Sequence, residues 1–409
     1  MFFRQRTITV GNDYVNSRFM VNPRGSMLKV DSERSVKVVT IVGARPQFIK
    51  AAVVTRAIRA QNMMVAKDAQ EGRTINEVIV HTGQHFDANM SEVFFKEMQI
   101  PTPDYNLNIN SMNHGAMTGR MLEKIEEVLL DEKPDYVMVY GDTNSTLAGA
   151  LAAKKLHIKV VHIESGLRSY NMRMPEEINR ILTDRISDIL CCPTDTAIEN
   201  LEKEGFAVNK CCPLVVKTGD VMQDAALYYS SISSQNSSII KDMKLINKDF
   251  VLCTVHRAEN TDDPNRLRNI FEALQKIGES MQVVVPLHPR TKKILSSIDL
   301  RLPNHSEKLL IIKPVGYFDM IELLRNSKIV MTDSGGLQKE AFFFSKPCVT
   351  LRDETEWREL IDLKVNIIAG SDKNAILAAY NAMHNAVIKT DVNVYGNGQA
   401  AYNIIKNIK

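Results

Sequence analysis

The sequence predicts an α/β protein of two domains, each built on a parallel sheet with helices on both faces. Three observations carry this. From Val36 onward, short β-branched runs alternate with longer segments of helical period, as in βαβ units whose strands are buried on both faces. The chain has 409 residues, too many for one core of about 150 residues. Polar residues end one strand run after another, where open parallel sheets place their ligands.

Residues 1–35 stand apart. They carry Arg4, Arg6, Arg18 and Arg24 among scattered polar residues, with no helical or strand period. A secretory signal would need a continuous apolar stretch, and there is none. The segment reads as a disordered extension, a start-site remnant with Met27 as the start, or a cloning scar around Gly25-Ser26-Met27. The β-branched runs are 36–42, 77–81, 135–140, 159–163, 250–255, 282–287, 328–331 and 347–351. Helical patterns fall at 47–60, 119–130, 175–190 and 337–344, and another helix starts near Asp220. The Ser-, Asn- and Lys-rich stretch 230–247 reads as a surface connection. The resulting division is 1–35 as extension, 36–218 as the first domain, 219–385 as the second, and 386–409 as a closing helical segment.

Composition narrows the function. Apolar residues make up 44% and the formal net charge is +3, so an anionic ligand must be held by a local cluster rather than by bulk charge. No run of about 18 apolar residues occurs, which predicts no membrane span. Of six cysteines, four form the vicinal pairs Cys191-Cys192 and Cys211-Cys212. That spacing suits buried, reduced thiols rather than a zinc site, and no metal is expected. Trp357 and the run 342–344 read as core or cleft wall, not as a nucleic-acid platform.

The strand ends hold the chemistry. The run 135–140 leads into Gly141-Asp142, 159–163 into Glu164, and 250–255 into His256-Arg257. The run 282–287 leads into His288-Pro289-Arg290, 328–331 into Thr332-Asp333-Ser334, and 347–351 into Arg352-Asp353. These residues gather on one rim of each sheet. If the rims face each other, they form a shared cleft, whereas the plainer reading has the Asp and Ser residues capping helices. Thr332-Asp333-Ser334-Gly335-Gly336 joins a strand to a helix, offering backbone N–H groups to an anion. Glu340, further along that helix, could accept from both hydroxyls of a ribose, or be a solvated helix residue. Gly43-Ala44-Arg45-Pro46 is a second such turn, with Arg45 suited to a phosphate and Lys50 about one turn on. No GxxxxGK[ST] occurs. Gly396-Asn397-Gly398-Gln399-Ala400-Ala401 matches GxGxxA, but the chain ends before an acidic ribose partner, so it reads as the start of the closing helix.

Taken together, the motifs resemble the non-hydrolysing UDP-N-acetylglucosamine 2-epimerase family from about residue 36 onward. They are Gly43-Ala44-Arg45-Pro46-Gln47-Phe48-Ile49-Lys50, His81-Thr82-Gly83-Gln84-His85, Gly141-Asp142-Thr143-Asn144-Ser145-Thr146, His162-Ile163-Glu164-Ser165-Gly166-Leu167-Arg168, Met174-Pro175-Glu176-Glu177-Ile178-Asn179-Arg180, His256-Arg257-Ala258-Glu259-Asn260 and Thr332 to Ala341. The resemblance implies a GT-B-like fold: two Rossmann-like domains with parallel sheets facing a central cleft, and a C-terminal helix returning to the first domain. It implies a cytoplasmic homodimer that needs no cofactor and works on UDP-sugars, without nucleic acid or membrane partners. Carried over residue by residue, Asp142, Glu164 and Glu176 supply acid and base, with Lys50 and Arg180 supporting charge. Arg45, His256, Ser334, Gly335, Gly336 and Arg352 hold UDP, and Glu340 holds its ribose. The implied chemistry removes the C2 proton, expels UDP to leave a 2-acetamidoglucal, then re-adds UDP as the proton returns to the opposite face.

Trp357-Arg358 stands where many of these enzymes have Arg-Pro. With 84–91 and 256–264, it looks more like the branch acting on UDP-2,3-diacetamido-2,3-dideoxyglucuronate, which supplies O-antigen in lipopolysaccharide. A uronate would want a further cation, from Arg168, Arg173 or Arg358, unless these are ordinary surface arginines. Gln84 and Arg120 match an activator site for a second UDP-sugar, although Asp87 replaces a common Gln there. The alternatives are a GT-B glycosyltransferase, a non-catalytic sugar-nucleotide sensor and a hydrolysing epimerase.

Overall fold

The structure, a computed structural model, describes residues 19–21, 27–29, 35–67, 73–84, 99–100, 102–206, 213–287, 289–297, 308–388 and 393–408. The vicinal pair Cys211-Cys212, residues 85–91 and His288 of the sequence reading lie outside these. The chain divides into two compact units, Met1–Asp224 with Tyr395–Lys409, and Ala225–Val394.

In the first unit the strands are β3 (Ser35–Val42), β4 (Thr74–His81), β5 (Tyr105–Asn106), β6 (Tyr136–Tyr140), β7 (Lys159–Ile163), β8 (Ile189–Cys192) and β9 (Leu214–Lys217). They form one parallel sheet in the order β5-β4-β3-β6-β7-β8-β9. One face packs Val39, Ile41, Val137, Val139 and Val160 against Met121, Ile125 and Leu129 of helix His114–Glu132 and the alanines of helix Asn144–Lys155. The second helix sits close because it is small-sided: a Cβ on Gly149 would lie 2.8 Å from Ile41 Cδ1. Helix Ala400–Ile405 closes this unit, packing on helix Arg45–Ala66. Asp224 accepts from Ala400 N and Ala401 N at 3.1 and 2.9 Å.

In the second unit the strands are β10 (Phe250–Thr254), β11 (Gln282–Pro286), β12 (Leu309–Ile312), β13 (Ile329–Thr332), β14 (Cys348–Thr350) and β15 (Asn366–Ile368). They too form one parallel sheet, in the order β12-β11-β10-β13-β14-β15. The period of two is visible along β10. Val251 and Cys253 face Leu267, Phe271 and Leu274 of helix Pro264–Gly278. Phe250 and Leu252 face Leu323 of helix Tyr317–Asn326 and Leu337 of helix Gly335–Phe343. In each sheet the order reverses beside the unit's first long strand, at β3/β6 and at β10/β13, which is where ligands bind in doubly wound sheets.

The structure differs from the sequence reading in places. The pattern at 175–190 breaks into helix Pro175–Ile186 and strand β8, because an apolar Ile-Leu run continues the helical spacing without being helical. The helix near Asp220 runs through Val221–Asn236, into the stretch read as a connection. Within 1–35, β1 (Phe19–Val21) pairs antiparallel with β2 (Met27–Lys29), although no strand period marks them. Cys191, Cys192, Cys253 and Cys348 are buried and unbridged. Among the described residues, no helix is long and apolar enough to cross a membrane.

Candidate active site

In the first unit the site residues occupy the turns after β3, β6 and β7. Gln47 binds two of these turns together. Its Oε1 accepts from Gly43 N and Ala44 N at 2.8 and 2.9 Å. Its Nε2 donates to Tyr140 O, Thr143 Oγ1 and Thr146 Oγ1 at 2.7 to 3.0 Å. Gly43 has no room for a side chain, since a Cβ would lie 2.2 Å from Ser145 Oγ and Thr82 Oγ1. The sequence gives no sign of this role for Gln47, because a buried amide and a surface amide read alike in sequence.

Asp142 does not cap the helix that follows it. Thr143 does, so the carboxylate is left for other work. It accepts from Arg180 Nη1 at 2.7 Å, and its side chain keeps 33% exposure. Desolvation raises its pKa above the ordinary carboxylate range, with Glu164 and Glu176 adding to the rise and Arg180 and Lys50 opposing it. Glu164 is buried and forms an ion pair with Lys50, itself buried rather than a surface lysine. Glu164 has a φ of 70°, unusual for a residue with a side chain. Its N–H and that of Ser165 both donate to Cys191 O at 3.1 Å, which holds the turn. Glu176 is half-buried in the first turn of helix Pro175–Ile186. Its neighbour Glu177 is buried instead, accepting from Ser169 N, Tyr170 N and Arg180 Nε, and thereby orients Arg180. Asn179 donates to Asp142 O at 2.9 Å. The first unit therefore brings Asp142, Glu164, Lys50 and Arg180 together as interleaved carboxylates and cations, with Glu176 acting on Asp142. Arg45 begins helix Arg45–Ala66, half-buried.

In the second unit the site is built on Asp333, which the sequence reading quoted but gave no role. It is fully buried and accepts from His256 N, Arg257 N and Asn260 Nδ2 at 3.0 to 3.2 Å. The His256 ring meets it through Nδ1 at 3.1 Å, and the side chain is about half exposed. Burial pushes the Asp333 carboxyl up, but the His256 ring and the Arg257 and Asn260 donors outweigh it and hold it below the usual range. Ser334 caps helix Gly335–Phe343 through Leu337 N at 3.4 Å, and Gly336 is exposed. Glu340 is not a solvated helix residue. It is buried and accepts from Tyr317 Oη at 3.0 Å.

Two of the arginines are already paired with carboxylates. Arg352, expected to hold UDP, is 1% exposed, and both of its terminal nitrogens bond Glu356 at 3.0 Å. Arg168, a candidate for a uronate carboxylate, pairs with Asp184 at 2.7 Å and Glu204 at 2.6 Å and is 2% exposed. Neither is a surface arginine, and the Arg352 guanidinium lies beside the Gly335 turn, 3.9 Å from where a Cβ on Gly335 would sit. Arg173 and Arg358 are exposed. Gln84 spends its side-chain oxygen on Ser145 N and Oγ. Arg120 is exposed and pairs with Glu123 one turn on.

A family model described as UDP-N-acetylglucosamine 2-epimerase matches residues 67–409. The chain is 53% identical to the UDP-2,3-diacetamido-2,3-dideoxy-D-glucuronate 2-epimerase of Pseudomonas aeruginosa, over 90% of this chain and 98% of that one. It is 42% identical to the UDP-N-acetylglucosamine 2-epimerase of Methanocaldococcus jannaschii, over 91% and 98%. Among solved structures, it is similar to the M. jannaschii UDP-GlcNAc 2-epimerase in complex with UDP-GlcNAc and UDP, with a TM-score of 0.80, 41% identity and coverage of 91% and 99%. It is also similar to the Neisseria meningitidis UDP-GlcNAc 2-epimerase bound to UDP-GlcNAc, with a TM-score of 0.77, 30% identity and coverage of 91% and 99%.

Proposed function

The chain belongs to the UDP-N-acetylglucosamine 2-epimerase family, and on that premise we propose that it inverts C2 of a UDP-2-acetamido sugar without hydrolysis. The observation that carries the reading is the cluster of Asp142, Glu164, Lys50 and Arg180 at the β3/β6 switch point, with Asp142 held above the ordinary carboxylate range. A carboxylate removes the C2 proton. The C1–O bond breaks, its electron pair leaves with UDP, and C1=C2 forms. Re-addition of UDP at C1 and return of a proton to the other face of C2 complete the inversion. Inversion needs proton transfer at both faces, and Asp142 and Glu164, with Glu176 beside them, supply carboxylates for both. The C2 proton is a poor acid, so departure of UDP must be stabilised by fixed charge and aligned N–H groups. His256, oriented by Asp333, and the backbone from Ser334 to Gly336 supply these, Arg45 adds a guanidinium, and Glu340 takes the ribose.

We propose UDP-2,3-diacetamido-2,3-dideoxyglucuronate as the substrate, in line with the 53% identity to the enzyme named for it and with Trp357-Arg358. With Arg168 committed to Asp184 and Glu204, the exposed Arg173 and Arg358 are the candidates for the sugar carboxylate. The proposed setting is a cytoplasmic homodimer that feeds O-antigen synthesis. A glycosyltransferase is not favoured, because the matched relatives are epimerases by name. The expected kcat/KM is at least about 100-fold higher for the diacetamidoglucuronate than for UDP-N-acetylglucosamine, the scale on which a few polar contacts discriminate. Equal or reversed values in a coupled assay of both sugars would make UDP-N-acetylglucosamine the substrate.

A further inference from the structure

The buried pair His162–Asp184 lies beneath the catalytic turns. His162 is wholly buried in β7. Its Nε2 lies 2.7 Å from Gly141 O, and its Nδ1 lies 2.7 Å from Asp184 Oδ1. A backbone carbonyl can only accept, so Nε2 carries a proton. The other oxygen of Asp184 accepts from Arg168 Nη1 at 2.7 Å and Gly166 N at 3.2 Å. Although burial opposes it, the bonds from His162 and Arg168 hold the Asp184 carboxyl below the usual range. The Arg168 guanidinium thus matches the charge of the Asp184 carboxylate, whose Oδ1 is left to accept from Nδ1, so the ring donates from both nitrogens. Arg168 in turn is clamped by Glu204 through Nε and Nη2 at 2.6 and 2.9 Å.

Each end of this chain of bonds touches a catalytic segment. Gly141, at a left-handed φ of 64°, precedes Asp142. His162 itself stands two residues before Glu164, and Gly166 N fixes the far side of the same turn. Asp184 lies in the last turn of the helix that carries Glu176 in its first turn and Arg180 one turn before Asp184. We infer that His162, doubly protonated and anchored by Asp184, is a positioning residue that holds the turns of Asp142, Glu164 and Glu176 in one register for proton transfer at C2. A buried charge pair of this kind contributes little net stability next to a well-packed apolar pair, whereas an error of about 1 Å at the reacting groups costs about 100-fold in rate. The inference rests on the epimerase reading above.

Two variants divide the roles of the ring. In His162→Gln the amide can still reach Gly141 O, and in His162→Asn it can reach only towards Asp184. The expected result is a kcat lowered about 100-fold in His162→Asn, a smaller loss in His162→Gln, and a KM within about threefold of the parent in both. UDP affinity stays within about threefold of the parent, because the ring's two bonds, to Gly141 O and Asp184, reach none of the residues assigned to UDP. A folded His162→Asn with a kcat within threefold of the parent overturns the inference. Nitrogen-15 NMR of the histidine rings of the full chain at neutral pH needs no substrate and so stands apart from the epimerase reading. One ring with both nitrogens protonated, absent from His162→Asn or from His162→Gln, is expected. A bare nitrogen on the His162 ring overturns the inference even if both variants fail to fold.

Discussion

Replacing Glu164 by Gln lowers exchange at C2 by at least about 1,000-fold while UDP still binds within about threefold of its normal affinity. The substitution keeps the side chain's shape, and with it the left-handed turn held by Cys191 O. It removes the charge that pairs with Lys50 and the oxygen that could take a proton. Both effects fall on the first unit, whereas the residues assigned to UDP on the second, His256, Ser334 and Glu340, are untouched. Single-turnover deuterium incorporation and titration calorimetry with UDP read the two halves separately. Turnover within tenfold of the parent would remove Glu164 from the chemistry.

Asp333→Ala acts on the other half. It leaves His256 N and Arg257 N without their acceptor, takes one of the two acceptors of Asn260 Nδ2, and frees the His256 ring to turn. Unpaired buried donors cost about 1–3 kcal/mol each. The expected outcome is a loss of at least about 2 kcal/mol of stability in denaturant melts, with UDP affinity falling about 100-fold. Asp333→Asn, which keeps one acceptor oxygen, is expected to lie between Asp333→Ala and the parent on both measures. Parental UDP affinity in a folded Asp333→Ala would show that His256 does not depend on this anchor.

The carboxylates proposed for proton transfer were legible in the sequence because a strand buried on both faces offers polar groups to a ligand only at its end. Asp142 after β6 and Glu164 after β7 could be found for that reason. The strands themselves were legible where β-branched residues dominate, as in β3 and β13. They were not where Ile-Leu spacing continues a helix, as in β8, or where a strand is short, as in β15. What could not be read was whether a cation is already committed. Arg168 and Arg352 look in sequence like residues awaiting an anion, yet Asp184, Glu204 and Glu356 hold them. In the first case the partners come from other elements 16 and 36 positions away. Tyr317 beneath Glu340 is hidden for the same reason, as it reaches across from a different helix. His162 opens the motif His162 to Arg168, but its two bonds depend on the turn after β6 and helix Pro175–Ile186 meeting at one point.

Proton NMR in D2O, with the enzyme and both UDP-N-acetylglucosamine and UDP-2,3-diacetamidoglucuronate present, tests the central claim most directly. The account predicts loss of the H2 signal of the diacetamidoglucuronate as deuterium enters C2, together with a new anomeric signal of manno configuration and a stable equilibrium mixture. Retention of C2 protons in both sugars, or release of free sugar and UDP without a return reaction, would contradict it.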